Sequence, residues 1–386
     1  MFLKLFTPLA RARAVKADIR HKSAMCRRLV GLAFATLLIT PQFAHALRPG
    51  NKLNWQIFGD VSARYTHTYA QAPSFILGDI DLWFQRQVSE KWSAMGELMI
   101  MDMNSEGDPN YHIHPARLFI EYAHSDTLQL RIGQTHTPIG LYSQLYPHGA
   151  RFFEPTIHRP LLGTVKHGKE LLPLHTVGLR IQGSYEVNDH LELQYLVGIG
   201  NGGAHGGIDY NLWKTPFAQL RVLPLDIEDL SFVFSAYTDR LTEGEVDNLY
   251  QLIGSASVLY NPFPIGILLE TFWVQHAGSF AQLFGGSSAG AHMMSDLSVP
   301  RTSLFGGYLQ LTYALDESNG VFGLVESFTR DENDILFNDH TPYTNYFGVH
   351  AGHSYLFNQH VVLKSGYAYS WADNLHRFDV QLAYRL

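Results

Sequence analysis

The chain carries a single cysteine in 386 residues. Cys26 stands ahead of the apolar run Leu29 to Ile39, so it is not placed as a lipoprotein acceptor. It has no partner for a disulfide, and thiol redox chemistry is excluded. Long apolar runs are missing too. Nothing after Ile39 approaches eighteen uninterrupted apolar residues, which rules out membrane-spanning helices. Charged residues make up only 16% of the chain and their balance is acidic, which argues against nucleic acid as a partner. The glycine-rich stretches 198 to 207 and 278 to 290 lack the Lys-Ser/Thr ending of a phosphate-cradling loop, and no Gly-x-Ser-x-Gly elbow occurs. No cofactor is expected.

The front of the chain reads as an export signal. Arg27 and Arg28 precede the apolar run, and Ala44-His45-Ala46 offers small residues where a signal peptidase reads. Cleavage before Leu47 is expected, giving a leader 1–46 and a mature chain 47–386. The basic segment 1 to 24 reads as an extended leader, or as a start placed ahead of the true one at Met25. The mature 340 residues keep 20 basic and 34 acidic side chains, a formal charge of −14.

From Trp55 onward the sequence has a rhythm of about sixteen short alternating segments, joined by connections that are tight and long in turn. Strands are expected near 55–69, 75–89, 91–103, 115–124, 127–134, 174–187, 190–200 and 215–223. The second half follows with 229–239, 248–260, 265–276, 302–315, 319–330, 343–357, 360–371 and 376–386. Brief connections rich in turn formers, such as Asn188-Asp189 and Asp316-Glu317-Ser318, follow the even-numbered strands. Longer ones follow the odd strands, notably 104–114, 135–173, 201–214, 277–301 and 331–342. Short turns on one side, long loops on the other and an even strand count describe an all-β, antiparallel transmembrane barrel of the bacterial outer membrane, with the loops outside.

Side-chain parity agrees. Trp55, Ile57, Val61, Ala63 and Tyr65 share one face of the first segment, while Gln56, Asp60, Ser62 and Arg64 share the other. The apolar set is expected to meet lipid and the polar set a water-filled lumen. Aromatics gather at segment ends, with Trp55, Trp92, Tyr185, Tyr260 and Phe357 at the turn side and Tyr65, Trp273, Tyr369 and Trp371 at the loop side. Two interfacial girdles would need this. The last segment, with Phe378, Val380, Leu382, Tyr384 and Leu386 on one face, looks like the signal read by the barrel-assembly machinery, which usually ends on Phe or Trp.

One connection stands apart. The 39 residues Thr135 to Pro173 are long and apolar for a water-exposed loop, and ordered loops of that length are usually functional. Arg131-Ile-Gly-Gln134 followed by Thr137-Pro138-Ile139-Gly140 resembles the strand and loop start of the phosphate-selective and related porins of Gram-negative bacteria. The motif covers about ten residues, whereas the plan of sixteen strands covers the mature chain. The resemblance implies a channel narrowed by this third outward loop, passing small hydrophilic solutes or ions through a charged ring, in a homotrimer.

The charges give their own reading of that ring. Arg117, Arg131, Arg180 and Arg221 fall at inward parity on neighbouring strands, and the loop adds Arg151, Arg159, Lys166 and Lys169. Asp60, Asp79, Asp81, Glu97 and Glu121 fall inward on the first four strands, so a basic wall facing an acidic one would set up a transverse field. The alternative is that these groups pair with one another and brace the wall, and the sign of the preferred ion stays open between the two. Asp331, Glu332, Asp334 and Asp339 read as a solvated outer rim, bridged by divalent cations to lipopolysaccharide head groups. His112-x-His114 and His350-x-x-His353 supply two ligands at most, and the second pair points to opposite faces of a strand, so no metal site is expected. The competing functions are an adhesin or other binding barrel and, further off, a lipid-hydrolysing barrel, which would need a Ser and a His brought together at the rim.

Overall fold

In the computed structural model the described residues are 53–66, 73–102, 111–146, 152–154, 156–161, 171–202, 212–243, 246–279 and 301–386. The leader 1–46 and the basic residues Arg151, Lys166 and Lys169 lie outside them.

The alternation read from the sequence becomes sixteen strands. They are β1 (Asn54–Thr66), β2 (Ser74–Gln87), β3 (Trp92–Asp102), β4 (Tyr111–Ser125), β5 (Leu128–His136), β6 (His175–Asn188), β7 (Leu191–Gly200) and β8 (Thr215–Pro224). The other half comprises β9 (Leu230–Glu243), β10 (Val246–Tyr260), β11 (Ile265–Ala277), β12 (Thr302–Ala314), β13 (Asn319–Arg330), β14 (Asn345–Asn358), β15 (Val361–Ser370) and β16 (Leu375–Arg385). Each strand pairs antiparallel with its neighbour in sequence, and β1 closes on β16 through nine register pairs from Phe58↔Arg385 to Thr66↔Arg377. Closure leaves no unpaired edge, as a sheet in an apolar medium requires.

The turn end is built from local polar chemistry. Asp316 accepts from the backbone N–H groups of Ser318 (2.7 Å) and Asn319 (2.8 Å), and Asn358 accepts from His360 N (2.8 Å). Such side-chain bonds stand in for backbone turn bonds and favour tight reversal. Register shifts sit beside several of these turns, at Ala123/Ser125, Glu186/Asn188 and Leu356/Asn358.

Outward positions are apolar and exposed along the barrel: Val61, Ile132, Val197, Leu269, Leu311, Val325 and Leu382 all stand out from the sheet. Trp55, Trp92, Tyr185 and Phe357 are exposed at the turn end, and Tyr65, Trp273 and Trp371 at the loop end.

The inner face departs from expectation. On β7 to β13 it is buried and mixed, with Leu196, Phe217, Val233, Ile253, Phe272 and Leu324 in one apolar cluster among polar residues such as Gln194, Gln219, Gln251 and Gln310. β11 shows why: Ile265, Ile267 and Leu269 face out while Leu268, Phe272 and Val274 face in and are buried. A uniformly polar lumen wall is therefore corrected to a wall that is partly apolar where the chain packs against it.

Candidate functional site

The segment after β5 is what packs there. Thr137 N donates to Leu174 O (2.9 Å), and the Thr137 and Thr176 hydroxyls share a hydrogen bond of 2.7 Å, so the two ends of the connection are tied together. The chain then turns into the lumen. Gln219 Nε2 on β8 donates to Pro138 O (3.2 Å) and Gly140 O (3.3 Å), and Gly140 N donates to Ser255 Oγ on β10 (3.1 Å). Gly140 has φ of +68°, and a Cβ there would lie 2.7 Å from Glu270 Oε1. Both facts demand glycine.

Glu270 on β11 is fully buried and gathers the turn. It accepts from Leu141 N, from Tyr142 N (3.1 Å), from Ser257 Oγ (2.7 Å) and from Tyr308 Oη. The short helix α1 (Tyr142–Leu145) starts on this carboxylate. Negative charge is favoured beside orphan N–H groups at a helix start. Ile139, Leu141 and Tyr142, with Leu171 and Leu172 of the returning arm, fill the apolar cluster of the β7–β13 wall.

Further along, the connection touches β12 and then reaches the opposite side. Glu154 accepts from Tyr142 Oη (2.9 Å) and Gln310 Nε2 of β12 (3.2 Å). Burial pushes the Glu154 carboxyl up to about 7, a rise that Lys364 and the hydrogen bonds only partly offset. Phe152 and Phe153 pack with Phe58, Trp83, Met95 and Val362, on β1, β2, β3 and β15. Lys364 Nζ of β15 donates to Thr156 O (3.0 Å), and Leu161 N donates to Glu326 Oε2 of β13 (2.5 Å). His158 is buried between Arg377 and Asp379 of β16 and His350 of β14. Burial first, and then Arg377, hold its imidazole well below the usual histidine range. The described part of the connection thus meets the wall on both sides of the lumen.

Charged residues line β2 to β6, with Arg221 on β8. Arg117 pairs with Glu97 across β3 and β4, and Arg131 Nε donates to Glu121 across β4 and β5 (2.8 Å) while its guanidinium sits 4.0 Å from the Phe119 ring centre. Arg180 on β6 is the register partner of Arg131, and Arg221 Nη2 donates to Ser231 Oγ (3.0 Å). Asp81 is fully buried, and Asp79 sits by a register shift, where its backbone N–H donates to Asp60 (3.1 Å). Arg159 is half-buried in the lumen segment. Acids and arginines are therefore interleaved on one wall. Two walls facing across the lumen, as the parities suggested, is not the arrangement of Glu97, Arg117, Glu121 and Arg131.

A second connection also folds in. Helix α2 (Ile335–His340) is capped by Asp334, which accepts from Phe337 N (2.9 Å), Thr302 Oγ1 (2.6 Å) and His276 Nδ1 (2.7 Å). Asp334 is buried, which corrects its placement on a solvated rim, whereas Asp331 and Glu332 are exposed. Histidines cluster at His114, His136 and His175, with ring centres 5.8 and 5.1 Å apart. Among the described residues no group of three or more His, Cys, Asp or Glu has the geometry to hold a metal ion.

Sequence reasoning assigned no role to the residues that anchor the connection: Glu270, Glu326, Lys364 and Asp379. Each is a charged residue at inward parity, and that signal was available for all four.

No family model matches the chain, and no curated protein sequence matches it. Solved structures do. The anion-selective porin from Comamonas acidovorans superposes with a TM-score of 0.57 at 9% identity, over 87% of this chain and 99% of that one. The outer membrane channel DcaP of Acinetobacter baumannii gives 0.56 at 10%, over 88% and 98%. OmpT, an outer membrane protein of Vibrio cholerae in a trimer form, gives 0.55 at 10%, over 87% and 100%. The chain has the closed sixteen-stranded antiparallel fold of the outer-membrane porins.

Proposed function

We propose that this protein is an outer-membrane porin through which small hydrophilic solutes or ions diffuse, with the connection 135–173 as its constriction. The observation that carries the reading is the path of that connection. It leaves β5, is fixed on Glu270, and then meets Gln310 through Glu154, Lys364 through Thr156 O and Glu326 through Leu161 N. A wall-anchored strap of this kind narrows a barrel without closing it by chemistry. The interleaved Arg117, Arg131, Arg180 and Arg221 with Glu97 and Glu121 then set which ions pass. Export by the leader 1–46, insertion by the assembly machinery, contact with lipopolysaccharide and a homotrimer belong to the same reading. The trimer form of the Vibrio cholerae neighbour supports the last of these.

Deleting residues 144 to 170 should raise single-channel conductance in planar bilayers at least about twofold. Unchanged conductance would remove the strap from the constriction. The lipid-facing band has its own test. Val325 is exposed at the centre of β13, and Val325→Arg should destabilise the folded barrel in vesicles by about 2–4 kcal/mol, the usual loss for arginine at a bilayer midplane. Equal urea midpoints for the two proteins would mean that this face does not meet lipid.

A further inference from the structure

We propose that Arg64 and Arg377 form a carboxylate-binding subsite at the loop end of the seam where β1 meets β16. The subsite rests on the channel reading and adds a solute contact to it. Arg64 is the register partner of Asp379, and Arg377 lies two residues from Asp379 on the same inward face. Arg64 Nε donates to Asp379 Oδ1 at 2.7 Å, and Arg377 Nε lies 2.7 Å from Oδ2. One carboxylate thus lies against two guanidiniums, hydrogen-bonded to Arg64 and paired with Arg377 by charge, leaving one positive charge in excess. His158 adds none: it accepts from Arg377 Nη2 through Nδ1, and burial keeps it neutral.

Exposure decides what a solute meets. The side chains of Arg64 and Arg377 are 41% and 31% exposed, whereas that of Asp379 is 3% exposed. The pairs deeper in the wall do not show this. Arg117 with Glu97 is 9% against 2%, and at Arg131 with Glu121 the carboxylate is the more exposed partner. The neighbouring acids are already engaged. Asp60 accepts from Gln381 and Asp79 N, and Glu326 from Leu161 N with His350 against its other oxygen. Asp373, the exposed acid of the next connection, accepts from Tyr343 Oη.

Both terminal nitrogens of Arg64 and Nη1 of Arg377 have no hydrogen-bond partner among the described residues. Planar, permanently charged N–H edges of this kind match a carboxylate in shape and charge. One excess charge matches one monocarboxylate. A solute of that class entering from the loop side would be held here before it reaches the strap.

The probe is 13C-labelled butyrate, with butyramide as the uncharged control, added to the folded full barrel in detergent and followed by line broadening. Wild type should broaden butyrate and not butyramide. Arg64→Gln and Arg377→Gln should each weaken the effect about tenfold, as expected for losing one charge-assisted contact. Arg64→Lys, which keeps the charge and loses the fork, should fall between. Heat-dependent gel mobility reports that each variant is folded, and Arg64, on the exposed side of the pair, is the safer of the two to replace. Absence of broadening in wild type, or equal broadening in the Arg64→Gln, Arg377→Gln double variant, would overturn the subsite. Conductance is read separately: a barrel that binds butyrate but carries no current keeps the subsite and loses the channel.

Discussion

Replacing Glu270 by alanine should release the start of the strap from the wall and turn a steady channel into a noisy, more conductive one. Four donors converge on this carboxylate: Leu141 N, Tyr142 N, Ser257 Oγ and Tyr308 Oη. All four are in a fully buried setting, and each buried donor left without an acceptor costs about 1–3 kcal/mol. Even with relaxation, the docked strap loses on the order of 5 kcal/mol. Undocking recovers much of this, because the freed N–H groups then meet water. The barrel itself should survive, since the β10–β11–β12 ladder does not use the side chain. Glu270→Gln keeps one accepting oxygen and should give an intermediate result. Two measurements check the idea: current noise in planar bilayers, and protease cleavage between 137 and 146 in the folded barrel. A quiet, protease-resistant Glu270→Ala protein would show that the apolar seat alone holds the strap.

The same residues show how much could be read before the structure was seen. Strand number and order were legible because each strand carries a two-residue alternation on its outer face and ends in turn formers. Where a boundary moved, a local reason exists. β4 begins at Tyr111 rather than 115, because Pro115, which cannot donate to a ladder, looks like a strand start; the register shift between Glu97 and Leu98 accommodates it inside the strand. The Glu121–Arg131 pair was not legible: the tight turn at 126–127 alone would set Glu121 opposite Ile132, and the register shift at Ala123/Ser125 brings Arg131 there instead.

The docking of the strap was not legible. A rule that inward residues are polar assumes water in the lumen, and the rule fails where another segment of chain replaces that water. β11 carried the hint: Leu268 and Leu269, then Phe272, Trp273 and Val274, are apolar on both faces, as strands covered on both sides are. Which inward acid meets which loop amide depends on contacts more than a hundred residues apart, such as Leu141 with Glu270, and neither periodicity nor turn chemistry specifies them.

Grip of the strap should also depend on pH, in two opposing limbs. Burial raises the Glu154 carboxyl from an ordinary 4.5 to about 7. The docked strap therefore binds this proton more tightly than the undocked one. Its contribution is fully present below pH 4.5, falls as pH rises to 7, and is constant above, a loss of about 3 kcal/mol at 1.36 kcal/mol per pH unit. His158 acts in the other direction. Its folded-state pKa lies below the ordinary 6.5, so docking holds above that value and weakens as pH falls and the buried ring is asked to charge. Both limbs together predict tightest docking at mildly acidic pH, read as a minimum in current noise. Glu154→Gln keeps an oxygen that can accept from Tyr142 Oη and carries no proton to lose. It should grip more firmly than wild type at pH 8, by up to about 3 kcal/mol, and show only the acid-side weakening that His158 imposes. A Glu154→Gln barrel whose noise follows the wild-type pH curve throughout would mean that this carboxyl is not what couples the strap to pH.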